Sequence, residues 1–183
     1  NVCNTLASIA VGMELNLTFN TIRDSLLEFS GVHRRFEIGF QSDTLVVVDD
    51  YGHHPAEIQA TFAAAKEVWS DRRLIVAFQP HRYSRTLHLM EQFCTSFNNA
   101  DYLIVDKIYA AGEDPIEGID ARQIADGAKK FGHKHVEHIE SKKDIIAHLL
   151  RTIQPGDVVM TLGAGDIWEV GRDLISKLPK HFR

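Results

Sequence analysis

Cysteine is scarce in this sequence: 183 residues hold only Cys3 and Cys94. Two are too few for a disulfide framework, which points to a reducing compartment. Neither stands in a CxxC pattern or beside an activating base, so each reads as a small buried residue. Basic tracts are missing too. With a net charge of −5 and a pI of about 6.0, nucleic acid is excluded as an expected partner. No apolar run is long enough to span a bilayer, and residue 1 is not followed by the basic n-region of a signal peptide. There is no GxxxxGK[ST] phosphate loop, no internal repeat and no low-complexity segment.

What is present is a globular composition, 44% hydrophobic and 25% charged. The length suits one domain with an appendage and buries roughly two-thirds of the unfolded surface. Residues 2–13 place Val2, Leu6, Ile9, Ala10 and Met13 on one helical face. Residues 20–29 repeat Ile22, Leu26 and Phe29 at helical spacing, and Gly31 then reads as a helix stop. A boundary is expected near residues 31–33. Two helices with no sheet to cover read as the tail of a further domain. The abrupt opening on Asn1 fits a piece of a longer chain.

After Arg35 the rhythm changes. Strand patterns occur in FEIGF, TLVVVDD, RLIVAF, YLIVDKI, HVEHI and DVVMTL, and helical patterns at 56–69, 85–97, 121–131, 142–151 and 166–178. Strands alternating with helices predict an α/β fold: a mostly parallel, Rossmann-like sheet with helices on both faces. The unbroken apolar runs 45–48 and 74–78 fit strands buried on both sides. FEIGFQSDTLVVV reads as a hairpin with a short turn at Gln41–Asp43.

In such sheets ligands bind beyond the carboxyl ends of the strands. The unusual residues all follow strands. Residues 44–48 run into DDYGHHP, 74–78 into QPHRYSRT, 102–106 into DKIYAAGEDP, and 157–162 into GAGD. Four polar loops on one rim make DDYGHHP one wall of a site. The plainer alternative is that Pro55 opens a helix and Asp49 or Asp50 serves as cap or turn acid. Paired carboxylates also suit ribose hydroxyls, which donate to an acceptor-only group. His53 and His54 are adjacent and lack a third ligand, which argues against a metal. Arg82 and Arg85 stand three apart where a helix starts, so both forks could take one carboxylate or phosphate. GAGD fits either a phosphate-approaching glycine turn or a merely tight one, since GxGxxG spacing is absent. His133, His135 and His138 are split between strand faces and read as surface. Trp69 and Trp168, at helical positions, read as core or cover. From these residues alone the chain is an α/β domain for an anionic small molecule.

The same stretches, DDYGHHPAEI, FQPHRYSRT, YAAGEDPIEG and GAGDI, with GVHRRFE upstream and the opening NVCN, resemble the Mur ligases, and within them the alanine-adding members. The resemblance runs the length of the chain in the family's order. It implies that residues 1–31 are the C-terminal helices of a central ATPase domain and 32–183 the complete C-terminal domain. It further implies a bacterial, cytoplasmic enzyme of cell-wall precursor synthesis. That enzyme uses ATP and Mg2+ to phosphorylate the carboxylate of UDP-N-acetylmuramate, and L-alanine then attacks the acyl phosphate. Carried over residue by residue, Asn1 and Asn4 contact the adenine, Arg35 reaches the nucleotide phosphates or ribose, and Asp50 binds the ribose. Tyr51, His53, Arg82 and Arg85 hold the alanine and the reacting carboxylate end. The family's phosphate loop, magnesium-binding acids and carbamylated lysine have no counterpart here, so this chain alone is expected to be inactive. Two alternatives stay open: a murein tripeptide-joining member of the family, and a stand-alone nucleotide-binding module.

Overall fold

A computed structural model describes residues 2–29 and 31–182. They fall into two compact units, divided between His33 and Arg34. The first unit is a helix pair, α1 (Val2–Glu14) and α2 (Phe19–Glu28). Thr18 caps α2 by accepting from the Thr21 amide. Gly12 is buried against Ile22, whose side chain leaves no room for a Cβ. Cys3, expected to be buried, is exposed on α1.

The second unit is a six-stranded sheet. Its strands are β1 (Glu37–Gln41), β2 (Leu45–Asp50), β3 (Leu74–Phe78), β4 (Tyr102–Val105), β5 (Val136–His138) and β6 (Asp157–Leu162), in the order β1-β2-β6-β3-β4-β5. β1 runs antiparallel to β2 as the expected hairpin, and the remaining pairs are parallel. Every residue of β3 and β6 is buried, which is why those runs carry no polar alternation. One face packs Val46, Val48, Val76, Phe78 and Leu103 against α3 (Pro55–Val68), α5 (Met90–Thr95) and α6 (Arg122–Lys130). The other packs Val47, Ile75, Ala77, Ile104 and Val159 against α7 (Lys142–Thr152) and α8 (Trp168–Lys177).

β6 enters between β2 and β3. The chain leaves β2 toward α3 on one face but leaves β6 toward α8 on the other. That reversal between neighbouring strands opens a crevice at their carboxyl ends.

Three expectations need correction. The single helix at 85–97 is two short ones, α4 (Tyr83–His88) and α5, separated at Leu89 (φ −115°, ψ 16°). The bend carries Phe93 and Phe97 onto Phe78, at ring-centroid distances of 5.7 and 5.0 Å. His133 is not a surface residue: it is 9% exposed and its Nδ1 accepts from the His135 amide. The His138 side chain is also mostly covered. Both lie where the short β5 tucks under α6, so face alternation alone does not expose them. Cys94 is buried as expected. It lies against Gly127, where an added Cβ would meet its sulfur at 2.0 Å, and burial raises its thiol pKa.

Candidate functional site

The four loops predicted to share a rim do so. After β2, His54 caps α3 and forms a capping box with Glu57, and Pro55 occupies the first turn. Asp50 takes the turn role. It is 6% exposed; its Oδ2 accepts from the Phe36 amide (2.8 Å), and its Oδ1 accepts from the Gly52 amide (2.7 Å) and the Thr61 hydroxyl (3.2 Å). Its carboxylate therefore holds the 34–52 approach together, a role the sequence offered as the plainer alternative.

Asp49 pairs with Arg34, a residue not singled out in the sequence. Arg34 has φ +61°, and its guanidinium donates to Asp49 Oδ2 (2.9 Å), Gly165 O (3.0 Å) and Gly163 O (2.5 Å). One side chain thus ties the loop after β2 to the loop after β6. Burial raises the Asp49 pKa, and bonds from Thr161 and Arg34 offset part of that rise. Arg35 is exposed, with its guanidinium 5.7 Å from the Tyr51 ring centroid; Arg34 lies 5.1 Å from the same ring.

His53 lies edge-on to Tyr51 at 5.4 Å, and its Nδ1 is 3.0 Å from Tyr51 O. Its ring is 5.5 Å from His81, which stacks on Tyr109 at 5.6 Å. The His81–Tyr109 pair stitches the loop after β3 to the loop after β4. Arg85 Nη1 donates to His81 O (3.1 Å) and lies 3.2 Å from His81 Nδ1. Arg82, at φ +75°, is half exposed, and its nearest acid is Glu113 at 3.9 Å. Glu113 is held by the Ser84 amide (3.0 Å) and hydroxyl (2.6 Å). Each fork therefore has its own partner at rest, and the two do not converge as the sequence allowed.

GAGD is a packing turn. Gly163 has φ +147°, and a Cβ there would sit 2.7 Å from Gln79 O. At Gly165 it would sit 2.2 Å from Gln79 Oε1 and 2.6 Å from Tyr109 Cγ. Gln79 lies against both glycines. Its amide donates to Asp106 Oδ2 (2.9 Å) and Asp166 Oδ1 (2.7 Å) and accepts from the Asp166 amide (2.9 Å). Asp106 is fully buried, which pushes its pKa up to about 6. Lys142 pairs with Asp166 and, at 2.8 Å, with Glu169.

The structure thus brings Tyr51, His53, Arg82 and Arg85 to one rim and adds His81, Tyr109, Glu113, Arg34 and Glu57. His81 lay inside QPHRYSRT and Arg34 beside Arg35, but spacing does not say which of two neighbours turns inward. Asn4 is exposed on α1 in the first unit. Asn1 lies outside the described residues. Among the described residues, no three His, Cys, Asp or Glu side chains are grouped to hold a metal, and no helix is long and apolar enough to cross a membrane.

Comparison with known proteins gives the rim a lineage. A family model described as Mur ligase, glutamate ligase domain, matches residues 34–165. A UDP-N-acetylmuramate–L-alanine ligase from Geotalea uraniireducens (strain Rf4) is 54% identical over 178 residues, covering 97% of this chain and 39% of that protein. One of the same name from Geobacter sulfurreducens is 50% identical, with 97% and 38% covered. The solved UDP-N-acetylmuramate–alanine ligase of Thermotoga maritima superposes with a TM-score of 0.79 at 31% identity, covering 97% of this chain and 37% of that one. A murein peptide ligase from Psychrobacter arcticus shares the fold, with a TM-score of 0.72 at 24% identity, over 96% of this chain and 36% of its own. The chain therefore spans about two-fifths of the length of the curated relatives it matches. With the family model covering most of its length and relatives half identical to it, the chain belongs to the Mur ligase family.

Proposed function

We propose that the protein joins L-alanine to UDP-N-acetylmuramate in an ATP-dependent reaction through an acyl phosphate, in the bacterial cytoplasm. In this reading residues 32–183 form the C-terminal domain, and residues 1–31 are the last helices of a central ATPase domain. The observation that carries it is the rim of Tyr51, His53, His81, Arg82 and Arg85, in a chain 54% identical to a protein named for that reaction. A cationic pair beside imidazoles suits an amino acid: the guanidinium forks take its carboxylate, which leaves the α-nitrogen free. Arg82, half exposed and 3.9 Å from Glu113, is free to exchange that acid for a ligand carboxylate.

Asn4 and Arg35 are assigned to the nucleotide, as the resemblance implies, with Asn1 beside Asn4 in the sequence. Asp50 is assigned to holding the rim. Mg2+ and the phosphate loop are assigned, as the resemblance implies, to the part of the protein outside this chain. The domain's own contribution is to position the amine and exclude water while the acyl phosphate exists.

The test is phosphate release by the full-length protein with ATP, Mg2+ and UDP-N-acetylmuramate, across L-alanine, L-serine, glycine and the murein tripeptide. Strong stimulation by L-alanine is expected, with a raised KM for L-alanine in Arg82→Ala. Stimulation by tripeptide alone would move the assignment to a murein peptide ligase. No stimulation would leave a nucleotide-binding module. This chain by itself is expected to release no phosphate above blank.

A further inference from the structure

We propose that His53, backed by Glu57, is the proton acceptor that converts the incoming α-ammonium into the amine nucleophile, while His81 beside it is fixed in the opposite tautomer as a donor. The proposal deepens the ligation reading above and rests on it. His53 Nδ1 lies 3.0 Å from the Tyr51 carbonyl oxygen. A carbonyl only accepts, so Nδ1 carries the proton and the neutral ring keeps its lone pair on Nε2. Glu57 Oε2 lies 3.6 Å from the same Nδ1 and is held in place by the backbone N–H groups of His53 (3.0 Å) and His54 (3.1 Å). Burial works against the Glu57 charge, but those N–H bonds and the nearby Arg35 charge prevail and lower its pKa. A carboxylate behind Nδ1–H orients the ring and stabilises the imidazolium formed when Nε2 takes a proton.

His81 is wired the other way. Its Nδ1 lies 3.2 Å from Arg85 Nη1, and a guanidinium has only donors, so Nδ1 accepts and the ring proton sits on Nε2. Two imidazoles 5.5 Å apart therefore offer one lone pair and one N–H to the same rim. The groups around His53 are Tyr51 and His54 on its own segment, Glu57 from α3, and His81 with Arg85 and Arg82 from the loop after β3. Arg35 lies within charge range of Glu57.

In the step, the ammonium gives one proton to His53 Nε2, leaving a lone pair on nitrogen. That pair forms the C–N bond at the acyl carbon. The carbon–oxygen bond to phosphate breaks, and its electrons leave with the phosphate. A second N–H proton goes to the departing phosphate, giving hydrogen phosphate, and His53 returns its own proton to solvent.

The experiment uses the full-length protein and His53→Asn. The introduced amide keeps a donor for Tyr51 O but has no counterpart of Nε2. L-alanine-dependent kcat should fall on the order of 100-fold with little change in KM, whereas loss of a mere contact would raise KM. Hydroxylamine, already neutral at pH 7, should still trap the acyl phosphate as hydroxamate with a far smaller loss than the L-alanine reaction shows, and that trapping also shows that the variant is folded. Added imidazole should restore part of the L-alanine rate. Unchanged kcat, or hydroxamate formation falling in parallel, overturns the base assignment alone. Absence of hydroxamate from the wild-type protein overturns the ligase reading and the base assignment with it. Ring 15N shifts on this chain should show Nδ1–H at His53 and Nε2–H at His81; the same tautomer at both would overturn the wiring.

Discussion

Arg85 donates to both the carbonyl oxygen and, at 3.2 Å, the Nδ1 of His81, so one residue fixes both the position of a fork and the tautomer of a ring. Burial, joined by the Arg85 and Arg82 charges, lowers the His81 pKa to about 4. His81 therefore stays a neutral acceptor throughout the range where an ordinary histidine titrates. The KM for L-alanine should stay flat between about pH 5.5 and 8 on this account. A rise in KM near the usual histidine pKa that persists in His53→Asn would mean that His81 charges and releases Arg85. His81→Asn, whose amide oxygen can replace Nδ1, should bind L-alanine better than His81→Phe; steady-state kinetics of the full-length protein separate the two.

Arg34→Lys should unfold earlier in urea by about 2–3 kcal/mol. A lysine ammonium reaches Asp49 but cannot also span the Gly163 and Gly165 carbonyls, which Arg34 serves with a planar fork. A shift within a few tenths of a kcal/mol would mean the tie is dispensable.

Gly165→Ala places a Cβ 2.2 Å from Gln79 Oε1 and 2.6 Å from the Tyr109 ring. Both neighbours belong to the rim, so the strain moves Tyr109 away from His81. A loss of roughly 1–3 kcal/mol in stability is expected, together with a higher KM for L-alanine. Unchanged thermal unfolding would show that the rim has slack.

Asp106 has its pKa raised in the fold from 3.8 to about 6. Between those values the folded state holds more proton than the unfolded one. Its contribution is therefore greatest in acid and is lost as pH rises from about 4 through 6, by no more than about 3 kcal/mol. Asp106→Asn should remove that slope while sacrificing one bond, since an amide nitrogen cannot accept from both Gln79 and Lys107. The difference between variant and wild-type stability should rise across this window and then level. A flat difference in urea titrations at successive pH values would show that Asp106 is not the titrating group.

Element type was legible because it depends on local periodicity. The apolar runs of β2, β3 and β6 and the helical spacings of α3, α7 and α8 appear within a few residues of chain, and so does the hairpin turn after β1. The rim was legible too, because polar residues crowded after strands have nowhere to go but the carboxyl edge. The sequence by itself determined the α/β architecture and the four loops that form the site.

Only the tertiary structure decided strand order and the choice between neighbours. β6 inserts between β2 and β3 through pairings such as Leu45 with Asp157 and Leu74 with Val158, far apart in the chain, which no local pattern encodes. Arg34 rather than Arg35 turns inward because it reaches carbonyls 129 and 131 residues away. Asp50 is buried as a turn acid because Phe36, Gly52 and Thr61 supply its donors. The tautomers of His53 and His81 follow from whether the atom opposite Nδ1 is a carbonyl oxygen or a guanidinium, and that pairing exists only once the loops have met.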